Sequence, residues 1–117
     1  MNGKLTTHVL DTARGEPAAG MRIQLLSCEG DNCKVVMTTT TNFDGRCDAP
    51  LLAGDLMLAG DYQLVFYVGD YFRSMKDADA DRFLKIVPIF FTIANASANY
   101  HVPLLVSPWA YSTYRGS

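Results

Sequence analysis

Valine, isoleucine, threonine, tyrosine and phenylalanine, the residues that favour strands, come in short runs along this 117-residue chain, and the runs are separated by Gly, Asp, Asn and Pro. Short runs broken in this way specify an all-β chain. Leu5 to Asp11 alternates, with Leu5, Thr7 and Val9 on one face and Thr6, His8 and Leu10 on the other. The stretch ARGEPAAG then reads as a turn. Met21 to Ser27 and Lys34 to Thr41 are the next strands, joined by CEGDNC, whose Gly and Asn suit a hairpin loop. NFDGR is a further turn, because Asp-Gly supplies residues that tolerate positive φ. Tyr62 to Val68 is nearly continuous in apolar residues and predicts a strand buried on both faces. DYFRSMKDAD, from Asp70 to Asp79, is the one helix expected. Ile86 to Ile93 and Tyr100 to Val106 are strands that carry Pro88 and Pro103, and a residue with no N–H belongs at an edge, a bulge or a strand start. Tyr111 to Arg115 is the last strand. Seven or eight strands with one short helix predict a two-sheet β-sandwich.

No internal repeat or linker divides the chain, so residues 1–117 are expected to form a single domain. A chain of this length buries roughly two-thirds of the surface it exposes when unfolded, enough for one core. A net charge of -2 gives no electrostatic reason to bind nucleic acid. No run approaches the roughly 20 apolar residues of a membrane span, and Met1 to Lys4 lead straight into polar, alternating sequence, so no signal peptide is expected. Three cysteines, Cys28, Cys33 and Cys47, are an odd set that suggests reduced thiols in a reducing compartment. Cytoplasmic residence is the expectation.

His8 and His101 are the two histidines, each in a strand. An imidazole titrates near neutrality and suits activation of a water, although each His also reads as a strand residue bonded to a backbone carbonyl. Arg46 follows the Asp44-Gly45 turn, where a planar, permanently charged fork suits an oxygen-rich or anionic small molecule or, equally, solvent. DADAD, from Asp77 to Asp81, mimics half a calcium loop, but Arg82 stands in the place of the turn glycine and Pro88 in that of the closing glutamate. It reads as a solvated acidic turn. No Cys-x-x-Cys pair supports a zinc site, and nothing around Cys47 resembles a cysteine hydrolase motif, although Arg46 beside it raises the alternative of an activated thiolate.

Three stretches, LTTHVLDTARGEPAAGM (Leu5 to Met21), TNFDGR (Thr41 to Arg46) and YHVPLLVSPWAYSTYRGS (Tyr100 to Ser117), closely resemble the transthyretin-like family and, within it, the 5-hydroxyisourate hydrolases of urate breakdown. The resemblance implies a transthyretin-like sandwich assembled as a homotetramer, with active sites in the channel where dimers face one another. By position, His8, Arg46 and His101 match the catalytic residues, and Tyr114 to Ser117 match the closing tetrapeptide that lines the same pocket. His8, Arg46, Tyr114 and Ser117 are therefore the implied substrate-binding set, with no cofactor or metal required. The implied substrate is a small, planar purine derivative whose six-membered ring is opened by water; the alternative is a non-catalytic carrier or binding module. Two positions depart from the pattern. Asn99 precedes Tyr100-His101 where a histidine is frequent, and Ala110 stands where a glycine is common.

Overall fold

In the computed structural model, which describes residues 2–117 and leaves Met1 outside the described residues, the alternation of the first strand is realised directly. Leu5, Thr7 and Val9 are buried, while Thr6, His8 and Leu10 are half-exposed. The strand is interrupted once, giving β1 (Leu5–Thr6) and β2 (Val9–Asp11). It runs parallel to β8 (Tyr100–His101) and β9 (Leu104–Val106), and the register is unbroken: Thr6 faces His101 and Val9 faces Leu104. Pro103 occupies the gap between β8 and β9. The donors that bridge the two chains there are Val102 N–H to the Thr6 carbonyl and Leu104 N–H to the His8 carbonyl, so nothing is lost at the proline.

One sheet has the order β10-β9-β2-β3, where β3 is Glu16–Pro17 and β10 is Tyr111–Thr113. The other has the order β5-β4-β6-β7, from β4 (Arg22–Glu29), β5 (Asn32–Thr40), β6 (Gly60–Phe66) and β7 (Val87–Ile93). Counting β1 with β2 and β8 with β9 leaves eight strands among the described residues, within the expected range. The side chains of Val9, Ile23, Leu25, Leu64, Phe66 and Leu104 are fully buried in one core. Pro88 lies in β7, the edge of its sheet.

Four expectations need correction. Glu16–Pro17, read as turn, pairs with Leu10 and Asp11 as a short edge strand. β6 is buried on one face only: Tyr62, Leu64 and Phe66 point into the core, whereas Gln63 and Val65 are half-exposed, because the second sheet covers a single side. The helix, α1 (Val68–Ser74), begins and ends earlier than the expected Asp70 to Asp79, and it takes Val68 from the end of the expected strand. It turns Val68, Tyr71 and Phe72 into the core, and Lys76 at φ 58° stops it. The fourth correction concerns the thiols. Cys28 and Cys33 face each other across the β4-β5 hairpin and are joined as a disulfide, leaving Cys47 as the free thiol among the described residues. The Gly30-Asp31 loop sets this register, which composition alone does not reveal.

In the acidic stretch Asp77–Asp81, Asp79 and Asp81 pair with Arg82 and Arg73 respectively. Asp11 is a different case. Fully buried at the end of β2, it accepts hydrogen bonds from the Tyr71 hydroxyl (2.8 Å) and the Arg14 amide (3.0 Å). Burial, and then the Asp11 carboxylate, push the Tyr71 phenol well above its ordinary 10. This bond fastens the helix to the sheet that carries both histidines. Tyr71→Phe is expected to lower unfolding free energy by about 1–3 kcal/mol by depriving a buried carboxylate of its donor. A urea titration with an unchanged midpoint would contradict it.

Candidate functional site

The turn after β5 is held by its own side chain. Asn42 Oδ1 accepts from the amides of Asp44 (2.9 Å) and Arg46 (3.1 Å), and the Asn42 N–H donates to the Arg46 carbonyl at 2.6 Å. Gly45 sits at φ 76°, and a Cβ there would strike the Val9 carbonyl. Only glycine lets the turn come this close to β2. The Val9 amide donates to the Gly45 carbonyl at 2.7 Å, and His8 is bridged antiparallel to Arg46.

On this scaffold the His8 ring turns its Nε2 to the Asp44 carbonyl at 2.9 Å. A carbonyl only accepts, so Nε2 carries the proton, and in the neutral ring the lone pair is on Nδ1. The carbonyl-bonded reading of His8 is thus present, and it leaves one nitrogen free. Across the other edge of the same strand, Thr6 Oγ1 lies 2.8 Å from His101 Nδ1. Burial, then Arg46, then His8 hold the His101 imidazole below the 6.5 of a free one. Two imidazoles and a guanidinium therefore share one neighbourhood, and at neutral pH His101 is uncharged.

The chain end is tied to this neighbourhood. Gly116 faces His101, with its N–H donating to the His101 carbonyl at 2.7 Å and the His101 N–H returning at 3.2 Å. A Cβ on Gly116 would lie 3.2 Å from His101 Cβ and Cδ2. A side chain there would crowd the imidazole. The Arg115 guanidinium lies 4.5 Å over the Tyr100 ring, which anchors the last residues further. Tyr114 lies between Thr113, which faces Leu104, and Gly116, which faces His101 on the outer sheet face, and it borders a hollow with Phe90, Tyr100 and Val102. Through the parallel register, that face also carries Thr6 and His8.

His8, Arg46 and His101 are thus brought onto one side of the molecule. The face is open in a single chain: Arg46 is exposed, Tyr114 is 61% exposed, and Ser117 is exposed beyond the last bridge. Arg46 also borders a cleft of about 190 Å³ with Thr6, Thr7, Cys47 and Pro50. Burial pushes the Cys47 thiol up, so it is not an activated thiolate. Asn99 has a structural task, since its Oδ1 accepts the Lys4 amide at 3.0 Å at the start of the parallel pair. Asn42 and Thr6 were not singled out from the sequence. The alternation already put Thr6 beside His8, but only the pairing with a strand 95 residues away reveals its partner.

The model of the HIUase/Transthyretin family matches residues 5–116. A relative from Rhizobium meliloti named 5-hydroxyisourate hydrolase 2 is 55% identical over 117 residues, which is 99% of this chain and 98% of that protein. Among solved structures, (S)-allantoin synthase superposes with a TM-score of 0.92 at 44% identity; the match covers 99% of this chain but only 44% of that longer one. Transthyretin from Sparus aurata, 22% identical, superposes with a TM-score of 0.86 over 97% of this chain and 96% of its own, a likeness of fold.

Protonation of His101 checks the electrostatics. Titrated by NMR, its midpoint is expected below 6.5, and Arg46→Met is expected to raise it by removing a nearby cation; an unmoved midpoint would separate the two groups. The unfolded chain takes up this proton at a higher pH than the folded one, so stability falls as pH drops below about 6.5.

Proposed function

Because this chain belongs to the HIUase/Transthyretin family, we propose that it is a 5-hydroxyisourate hydrolase that opens the six-membered ring to 2-oxo-4-hydroxy-4-carboxy-5-ureidoimidazoline. The observation that carries the reading is the meeting of His8, Arg46 and His101 at one strand, in a chain 55% identical to a relative of that name. An imidazole lone pair takes a proton from water, and the oxygen bonds to the ring carbonyl carbon. The Arg46 guanidinium balances the oxyanion. Collapse breaks the carbon–nitrogen bond, and the ring nitrogen recovers the proton. Tyr114 and Ser117 supply hydrogen bonds to the plane of the substrate. No metal or cofactor takes part.

A face on which Arg46, Tyr114 and Ser117 are exposed does not by itself enclose a planar ring. This supports a homotetramer whose dimer-dimer interface closes each site. The unpaired edges of β7 and β10, with Phe90 67% and Tyr111 44% exposed, offer surface for such assembly. Residues 1–117 act as one domain. Cytoplasmic residence completes the proposal. The carrier reading draws on a likeness of fold at 22% identity and gives the paired imidazoles no task.

Purified protein mixed with 5-hydroxyisourate freshly made from urate is expected to speed the ultraviolet decay well beyond the spontaneous rate. His8→Ala and His101→Ala are each expected to lower kcat about a hundredfold or more. Decay at the spontaneous rate with the wild-type protein would remove the enzyme reading; near-normal turnover in both variants would remove the histidines from it.

A further inference from the structure

The two imidazoles are anchored through opposite nitrogens, which gives them different chemistry. His8 is held through Nε2–H on the Asp44 carbonyl, leaving Nδ1 as its lone pair. His101 is held through Nδ1 by the Thr6 hydroxyl at 2.8 Å, leaving Nε2 unpartnered among the described residues. Thr6 is half-buried in a strand, where a β-branched side chain keeps few rotamers. Its hydroxyl has no other hydrogen-bond partner among the described residues. The parallel register sets Thr6 opposite His101, and the backbone of Gly116 bridges that of His101 on the other side, where a Cβ would come within 3.2 Å of His101 Cβ and Cδ2. The ring is thus held at Nδ1, and its backbone is fixed from both neighbouring strands.

We propose that Thr6 is a positioning residue that donates its hydroxyl proton to His101 Nδ1, fixing the imidazole as the Nε2–H tautomer. A neutral ring has one proton to place, and a hydroxyl donating to Nδ1 puts it on Nε2. Resting on the hydrolase reading, this divides the labour that the sequence left open. His8 Nδ1 accepts the proton of the attacking water. His101 Nε2–H joins Arg46 in donating to the oxyanion and keeps its own proton throughout. His8 then returns the water's proton to the leaving ring nitrogen, so the cycle closes with both imidazoles neutral and no other reactant.

The test compares Thr6→Val, which keeps the shape and loses the hydroxyl, with Thr6→Ser, which restores it. Thr6→Val is expected to lower kcat on 5-hydroxyisourate about tenfold or more, the scale on which loss of a partner that orients a histidine is felt, with KM changed less than about twofold. Thr6→Ser is expected to recover most of kcat. With 15N-labelled histidine, the two imidazoles assigned through His8→Gln, His101 is expected to show its proton on Nε2 in wild type and Ser, and to become a tautomer mixture in Val. An unchanged kcat in Thr6→Val, a serine variant as slow as the valine one, or a His101 tautomer indifferent to residue 6 would each overturn the proposal. Wild-type protein without hydrolysis would overturn the function instead, and the imidazole spectrum would still decide whether Thr6 sets the tautomer.

Discussion

The parallel pairing of Leu5–Asp11 with Tyr100–Val106 is the contact on which the rest depends. It joins segments 95 residues apart in one unbroken register, and both of its edges carry the candidate chemistry. Along one edge Thr6 meets His101; along the other the Asp44-Gly45 turn meets His8 and Val9. Strand side chains alternate with period two, so a slip of one residue would turn His8 inward and send Val9 to solvent. The buried set of Leu5, Thr7 and Val9 opposes that slip. Core packing thereby fixes the face on which the imidazoles appear.

Charge is distributed sparingly around this strand. Burial, and then the nearness of the permanent cation Arg46, disfavour protonation of His101, so one fixed positive charge stands beside nitrogens that accept and donate hydrogen bonds. Such a set suits an oxygen-rich ring that becomes anionic during attack, because the guanidinium needs no reorganisation to meet the new charge. The buried carboxylate of Asp11 is kept apart from it, answered by Tyr71 and the Arg14 amide.

Much of this was legible in the residues. The alternation from Leu5 gave the facing of His8, Asp44-Gly45 gave the turn before Arg46, and Pro103 marked the interruption of its strand. The helix limits were misread because Val68 extends an apolar run that composition cannot separate from a strand; the boundary is set by Lys76 at positive φ and by the sheet's need to cover only one face. The Cys28–Cys33 pair depends on hairpin register, and Thr6 on a partner far along the chain. Contacts between distant segments are what a single sequence conceals.

The central claim is that the register of the first strand assembles a working site on its outer face. A crystal structure of the protein with a planar purine analogue that resists hydrolysis tests it most directly. The ring is expected to bind against that face, with oxygens at Arg46, one edge toward His8 Nδ1 and the other toward His101 Nε2, and with a second copy covering it. An analogue seated elsewhere, as in the hollow lined by Met37 and Pro50 to Ala53, with both imidazoles untouched, would contradict it.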